Sequence, residues 1–206
     1  MEENPRLGAI QLDALREVAN IGAGHAATAL SEMTGHTIMI SVPTINVAPL
    51  DEMPNHISEP EEPVAAVLMR MMGDLTGLTL LVLPTPTALR LAEMMARRAA
   101  GSSTSLGAFE RSALQEAGNI LSGAYLNALA EFMGMILLNS PPSLEVDMSD
   151  ALLSATYLES TQGTDSVLCV ESEFYMQESG ERLRGFFLLL PDAASLQAIL
   201  KAIRVQ

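Results

Sequence analysis

The chain has 206 residues, and the 49% that are hydrophobic suffice for the core of one ordinary domain or two small ones. Its 25 acidic residues outnumber the 11 lysines and arginines, which gives a formal net charge of −14 at pH 7. Because this charge repels nucleic acid phosphates and anionic lipids, we expect no nucleic acid partner and no membrane insertion. The most apolar stretch, residues 64–83, is interrupted by Arg70, Gly73 and Asp74, which favours two strands and a turn over a bilayer span.

The residue types also exclude several kinds of site. A single cysteine, Cys169, cannot form an internal disulfide, and the first residues lack the apolar run of a secretory signal, so we expect a cytoplasmic protein. The three histidines, His25, His36 and His56, show no metal-ligand spacing. A nucleotide-binding G-x4-G-K-[ST] loop and a G-x-S-x-G serine motif are both missing. We therefore expect neither a metal nor a cofactor of the protein's own.

In chain order, hydrophobic periodicity predicts the same series of elements in each half. The first half is predicted to contain a helix over 7–34, strands near 37–47, 63–72 and 76–83, and a helix over 85–98. The second is predicted to contain a helix over 106–133, strands near 135–140, 167–177 and 183–190, and a helix over 192–203. A short helix over 148–157 has no counterpart in the first half. A small polar loop at 101–105 joins the halves.

An internal repeat explains this symmetry of elements. Residues 17–43 align without gaps with residues 116–142, at an offset of 99, and 10 of the 27 positions are identical. A second similarity joins the stretches that begin at Gly77 and Gly185, each an apolar strand followed by a proline and an amphipathic helix. The chain is therefore interpreted as two repeats, about 7–100 and 105–206.

The repeat predicts an α+β fold with pseudo-twofold symmetry, in which a β-sheet layer packs against two long helices. Neither repeat is large enough to bury a sheet face alone, so we expect residues 1–206 to form a single domain. A surface site on one long helix should then have an equivalent on the other.

Both long helices have a buried arc and an outward polar arc at about 100° per residue. In the first, the predicted buried residues are Leu15, Val18, Ala19, Gly22, Ala26, Ala29 and Met33. Its outward residues are Asp13, Glu17, Asn20, Gly24 and Ser31. In the second, the predicted buried residues are Leu114, Ala117, Gly118, Leu121, Tyr125, Ala128 and Phe132, and the outward residues are Ser112, Glu116, Asn119 and Gly123.

A polar helix face by itself needs no role beyond solubility. Two observations favour a function here: the Glu and Asn recur at the same spacing in both repeats, and Asn is a mediocre helix former. One neighbour differs, because Gly118 replaces Ala19 just before the Asn. That glycine would cost the helix roughly 1 kcal/mol unless close packing requires it.

The motif D-x3-E-x2-N-x22-P is formed by Asp13, Glu17, Asn20 and Pro43. Its second copy opens with serine and is formed by Ser112, Glu116, Asn119 and Pro142. This doubled motif resembles that of the CheC-type chemotaxis phosphatases, relatives of CheX and of the flagellar-switch phosphatase FliY. The segment NIGAGHAATALSEMTG, the length and the two-copy layout are also similar to that family.

The resemblance implies hydrolysis of the aspartyl phosphate of the response regulator CheY, which supplies its own Mg²⁺ and an active-site lysine. Asn20 and Asn119 would orient the attacking water, because a carboxamide both accepts and donates hydrogen bonds. Glu17 and Glu116 would engage the regulator's lysine. For the other motif residues the resemblance implies less direct roles: Asp13 and Ser112 would support the site, and Pro43 and Pro142 would shape the strand after the helix.

The resemblance further implies binding of the receptor deamidase CheD near the additional helix, in the stretch VDMSDALLSAT that contains Asp147. The same stretch is also typical of an ordinary surface helix that Asp147 or Ser149 caps, and the residues by themselves favour this interpretation. An alternative function is therefore a non-catalytic adaptor that binds CheD or a flagellar-switch component. A weaker alternative is an unrelated regulatory domain on a duplicated scaffold.

Overall fold

The five predicted helices and the six predicted strand regions are present, with corrections given below, in the computed structural model, which describes residues 9–49, 53, 57, 62–159, 166–177 and 179–204. The described residues form five helices and eight strands. In chain order these are α1 Ala9–Thr34, β1 Ile38–Ile40, β2 Thr44–Pro49, β3 Pro63–Gly73, β4 Gly77–Pro84, α2 Thr85–Met95, α3 Ala108–Met133, β5 Leu137–Asn139, β6 Ser143–Met148, α4 Ser149–Glu159, β7 Ser166–Met176, β8 Arg182–Pro191 and α5 Ala193–Arg204.

The eight strands form one antiparallel sheet in which the two repeats exchange their short strands. The strand order is β1-β7-β8-β4-β3-β5, with β2 also on β7 and β6 also on β3. Thus β1 and β2 of the first repeat pair with the second repeat, and β5 and β6 of the second pair with the first. The central strands β4 and β8 meet at Leu80↔Leu188 and Leu81↔Phe187. The pseudo-twofold axis that relates the two repeats therefore runs through the contact between β4 and β8.

Alternation along the strands divides the apolar residues between two faces of the sheet. Ala65 and Val67 of β3 face the layer of α1, α2 and α3, whereas Val64 and Ala66 face the opposite side. The sheet packed against two long helices is as predicted, and α2 and α5 complete that layer. The opposite face is covered in part by Leu153 of α4, together with the buried side chains of residues 53 and 57.

The two long helices pack against each other in antiparallel directions. The first half of α1 shares a core with the second half of α3, and the second half of α1 shares another core with the first half of α3. The first core includes Leu15, Val18, Leu126 and Leu129, and the other includes Ala26, Leu30, Leu114 and Leu121.

Two strand predictions need correction. The single strand predicted over 37–47 is two strands, β1 and β2, separated by a break that contains Pro43. Proline has no backbone N–H to donate to a ladder, so a break at this residue is expected. The strand β6 was not predicted at all, although it occupies the equivalent place after Pro142.

The remaining corrections concern helix boundaries and one buried arc. Helix α2 ends at Met95 rather than 98, α3 begins at Ala108 rather than 106, and the additional helix is Ser149–Glu159; the predicted start of α1 at residue 7 lies outside the described residues. At the end of α1, Met33 is 38% exposed, while Leu30 is fully buried. The helix there packs on β1, so its buried arc has shifted away from Met33.

Among the helices of the described residues, none combines the length and the apolarity that a bilayer crossing requires.

Candidate functional site

The four predicted catalytic side chains lie on the outward faces of the two long helices. Glu17 and Asn20 are exposed on α1, and Glu116 and Asn119 are exposed on α3. Within the described residues, none of these four side chains forms a hydrogen bond or an ion pair. The Glu and Asn of each pair are three positions apart, so the carboxylate and the carboxamide lie on neighbouring turns of one helix face. Both pairs are therefore available to a partner.

The antiparallel packing separates the two pairs into two sites. The helices approach closely where Gly22 meets α3, because a Cβ atom on Gly22 would lie 2.7 Å from Cδ1 of Tyr125 and 3.0 Å from its Cα. Asn20 precedes this contact by two residues in α1, and Asn119 precedes it by six in α3. At 1.5 Å per residue the two Asn positions are about 12 Å apart along the helix axes. One small surface therefore does not contain both pairs.

Close packing of α3 against the sheet requires a glycine at position 118. A Cβ atom at this position would lie 2.6 Å from Cγ1 of Val67 in β3, which is closer than non-bonded carbon atoms come in proteins. The glycine thus allows α3 to lie directly against the sheet beneath Asn119. In the first repeat the equivalent residue is Ala19, which is also buried, so the helix there leaves room for a Cβ atom.

Tyr125, six residues after Asn119, anchors α3 to the sheet. Its ring stacks on Phe187 with centroids 4.8 Å apart, and its hydroxyl lies 2.9 Å from Oγ of Ser172. Burial raises the pKa of Tyr125 above its ordinary value, so the phenol stays protonated at neutral pH. A buried aromatic with its polar end satisfied holds the helix in one position.

The opening residues of the two motifs differ in their surroundings. Oδ1 of Asp13 accepts a hydrogen bond from Nη1 of Arg16 at 3.0 Å, and both side chains are exposed. An exposed pair of this kind contributes less than about 1 kcal/mol. Ser112 is also exposed, at the equivalent position of α3. Both residues lie one turn before the Glu, on the same face.

The two motif prolines occupy equivalent breaks, Pro43 between β1 and β2 and Pro142 between β5 and β6. Before each break a serine forms two hydrogen bonds with the backbone of the paired strand. The backbone N–H of Ser41 donates to the carbonyl of Glu173 at 2.9 Å, and Oγ of Ser41 accepts from the N–H of Glu173 at 3.2 Å. Ser140 makes the same two bonds with Arg70, both at 2.9 Å.

One supporting contact was missed by the sequence analysis. Nε2 of Gln115 donates to the carbonyl of Pro142 at 3.1 Å, which ties α3 to the strand break directly beside Glu116. The available signal was the adjacency of Gln115 to the motif, but its partner is 27 residues away and no local pattern identifies it.

Asp147 lies apart from the Glu and Asn pairs. It is exposed on β6, where it pairs with Val64, and its Oδ1 accepts a hydrogen bond from the N–H of Met148 at 2.8 Å, just before α4. Its strand neighbour Val146 packs towards the long helices, so Asp147 points to the opposite face of the sheet. The predicted docking residue and the predicted catalytic residues therefore lie on different sides.

Cys169 and the other metal-binding residue types do not form a second site in the described part of the chain. Cys169 is buried on the α4 side of the sheet, and burial raises the pKa of its thiol to about 12. Such a thiol is unreactive. No group of three or more His, Cys, Asp or Glu side chains among the described residues is arranged to hold a metal ion.

The sequence of this chain is similar to those of proteins in the CheC-like family. A model described as the CheC-like family matches residues 10–47 and again 109–146, so each match contains one long helix and the short strands after it. The chain is 34% identical over 199 residues to the CheY-P phosphatase CheC of Bacillus subtilis, covering 94% of this chain and 93% of that protein. The chain belongs to the CheC-like family, and the predicted resemblance is confirmed.

Solved structures show the same fold. The X-ray structure of Thermotoga maritima FliY matches with a TM-score of 0.80 at 24% identity, covering 97% of this chain and 98% of that one. The CheX-CheY-BeF3-Mg²⁺ complex from Borrelia burgdorferi includes a chain that matches with a TM-score of 0.50 at 14% identity, covering 83% and 96%.

Proposed function

We propose that this protein is a phosphatase that hydrolyses the aspartyl phosphate of a CheY-type response regulator. The observation that carries the proposal is the Glu and Asn pair, present on both symmetry-related helices and exposed without a partner. The similarity to a CheY-P phosphatase over nearly the whole of both chains supports the same substrate. A cytoplasmic location follows from this substrate, and no cofactor of the protein's own is needed.

In this proposal the carboxamides of Asn20 and Asn119 position the attacking water. Each can accept one hydrogen bond from the water and donate another towards the phosphoryl group, which aligns the water opposite the aspartyl oxygen. The water oxygen bonds to phosphorus, the bond from phosphorus to the aspartyl oxygen breaks, and the regulator's carboxylate and inorganic phosphate are released. Orientation supplies the rate, and each tenfold gain requires about 1.4 kcal/mol of barrier lowering.

Glu17 and Glu116 would dock the regulator. A carboxylate one turn before the Asn can form a charge-assisted hydrogen bond with a lysine in the regulator's active site. An exposed carboxylate is a weak base towards water, so proton abstraction is not assigned to it. The regulator contributes its own Mg²⁺ to neutralise the phosphoryl charge.

The test follows the decay of phosphorylated CheY with the wild type, Asn20→Ala, Asn119→Ala and the double variant. Because the two pairs form separate sites, we expect each single variant to keep part of the acceleration and the double variant to lose it at least about 100-fold. Asn127→Ala is the matched control, since Asn127 is an exposed asparagine of α3 outside the motif. Loss in only one single variant would assign catalysis to that site alone.

Two results would contradict the proposal. One is a regulator phosphate lifetime that the wild-type protein leaves unchanged over a wide concentration range. The other is full acceleration by the double variant with unchanged folding, which would place catalysis outside the Glu and Asn pairs.

A second candidate function is docking of CheD or of a flagellar-switch component through the Asp147 region. Asp147 is exposed beside α4, on the sheet face away from the proposed catalytic pairs. This separation favours a binding role that is independent of hydrolysis. Asp147→Lys should weaken CheD binding and leave phosphatase activity unchanged, with Glu145→Lys on the same strand as the control. Tight CheD binding by Asp147→Lys would exclude this docking site.

A further inference from the structure

Four glycines lie inside the two long helices, and they are of two kinds. Gly22 and Gly118 are buried, and a Cβ atom on either would lie 2.7 Å or less from Tyr125 or Val67. Among the described residues, nothing outside the adjoining turns of the same helix lies within 4 Å of the position that a Cβ would occupy on Gly24 or Gly123. A glycine inside a helix costs about 1 kcal/mol relative to alanine. Packing among the residues that the structure describes explains the first two glycines and leaves the other two unexplained.

The two unexplained glycines lie on the faces that carry the proposed catalytic pairs. Gly24 follows Glu17 by seven residues and Asn20 by four, and Gly123 has the same spacing in α3. Positions i, i+3, i+4 and i+7 form one continuous stripe on a helix. All four stripe positions are identical in the two repeats: Glu17, Asn20, Ile21 and Gly24 in α1, and Glu116, Asn119, Ile120 and Gly123 in α3.

The isoleucine between the Asn and the glycine is the second unusual feature of this stripe. Ile21 is 41% exposed, whereas Val18, Ala19 and other apolar residues of α1 are buried in the core on the other side of the helix. Ile120 is half-buried at the same position of α3. The stripe thus presents in order a carboxylate, a carboxamide, an apolar side chain and bare backbone. This is the composition of a contact surface that has a small desolvated centre.

We propose that Gly24 and Gly123 are the positions at which the main chain of the phosphorylated receiver domain lies directly on the helix. The inference rests on the proposed function. A side chain four residues after the Asn would stand beside the carboxamide and hold the regulator away from it. The missing side chain therefore sets how deeply the Asn enters the regulator's active site, and the isoleucine provides the apolar contact next to it. Misplacing a reacting group by about 1 Å can cost about 100-fold in rate.

The test uses full-length protein carrying Asn119→Ala, so that only the site on α1 contributes. Gly24→Ala and Gly24→Leu are added to it, and dephosphorylation is measured against regulator concentration. We expect kcat/KM to fall about tenfold for the alanine and about 100-fold for the leucine, with a lower kcat because the Asn is misplaced and a higher KM because docking is hindered. Affinity for the regulator loaded with BeF3 and Mg²⁺ should fall in the same order.

Urea denaturation of the same variants separates this role from a structural one. Alanine at position 24 should raise the stability while it lowers kcat/KM, a combination that a folding defect does not produce. His25→Ala is the control, because His25 is exposed beside Gly24 and the second repeat has Ala124 in its place. Its activity should match that of the Asn119→Ala parent.

Unchanged kcat/KM in both Gly24 variants would overturn this inference and leave the proposed phosphatase function intact. Absence of acceleration by the wild-type protein would instead overturn the proposed function, and the inference with it.

Discussion

At the scale of single residues, Gly118 shows how a missing side chain fixes the position of a helix. Alanine at this position would gain helix propensity but would place its Cβ atom against Cγ1 and Cβ of Val67. Overpacking a filled core costs about 1–3 kcal/mol, which exceeds the propensity gain of about 1 kcal/mol.

We therefore expect Gly118→Ala to lower the free energy of unfolding, as measured by urea denaturation. Gly123→Ala on the same helix is the matched control and should raise that free energy by about 0.4–1 kcal/mol, because no neighbouring element of the described structure lies near its Cβ position. Adding Val67→Ala to Gly118→Ala should produce a smaller loss than the sum of the two single changes. A stabilising Gly118→Ala would refute the packing explanation.

The sequence predicted the direction of these side chains but not their distances from neighbours. The outward positions of Glu17, Asn20, Glu116 and Asn119 follow from helical periodicity, and the structure places all four at the surface. Periodicity placed Gly118 on the buried arc and Gly123 on the outward arc, but it could not show that Gly118 lies directly against Val67, because an angle around a helix says nothing about what lies 3 Å away. Met33 was misplaced for the same reason: the partner of α1 changes from α3 to β1 near its end.

At the scale of elements, α5 begins with a hydrogen-bonded cap that joins it to Thr76, the residue just before β4. Oδ1 of Asp192 accepts from the N–H of Ser195 at 2.8 Å, and its Oδ2 accepts from the hydroxyl of Thr76. In return, Oγ of Ser195 accepts from the N–H of Thr76 at 2.8 Å. Burial alone would raise the pKa of Asp192, but the hydrogen bonds from Thr76 and Ser195 outweigh it and lower the pKa below 3.8.

This cap predicts a specific loss of stability in acid. Because the folded state lowers the pKa, the ionised Asp192 stabilises the protein fully above the unfolded-state pKa near 3.8, and this stabilisation is lost as the pH falls through the lower folded-state pKa. Asp192→Asn keeps a capping oxygen but cannot ionise. Its unfolding free energy should therefore depend less on pH below about 4 than that of the wild type. Parallel pH profiles of the two proteins would refute this assignment.

Most elements were predictable because they have strong local patterns, and the exceptions share a cause. The run 143–148 alternates Leu144 and Val146 with acidic residues, follows two prolines and lacks the long apolar stretch of β3 or β8. Its strand conformation depends on pairing with Val64 to Leu68 of the other repeat, a contact of high sequence separation. Local periodicity cannot report a strand's partner, so the exchange of strands between repeats was also not predicted.

At the scale of the whole molecule, the exchanged strands make each repeat incomplete without the other. The β1 and β2 strands of the first repeat have β7 as their partner, and β5 and β6 of the second have β3. The joining loop is held by the buried carboxylate of Glu93, which accepts hydrogen bonds from the N–H groups of Gly101 at 3.0 Å and Ser103 at 2.7 Å. We propose that the two repeats are one folding unit.

Residues 1–104 and 105–206, produced as separate chains, should accordingly not fold when alone. Mixed from the unfolded state, they should form a 1:1 complex with the circular dichroism spectrum of the intact protein, because every strand then regains its partner. Size-exclusion chromatography and circular dichroism measure both outcomes, with the intact chain as the control. A folded, monomeric single half would contradict the proposal.

The exchange of strands also has a consequence for ancestry. A single ancestral repeat with this topology would have found partners for its short strands only in a second, identical copy, in an isologous dimer closed by the β4 and β8 contact. Fusion of two such copies would have replaced that concentration-dependent assembly with an intramolecular one. Once fused, the two helices were free to diverge separately, which is how one motif could come to open with Asp13 and the other with Ser112 while both kept the same Glu and Asn.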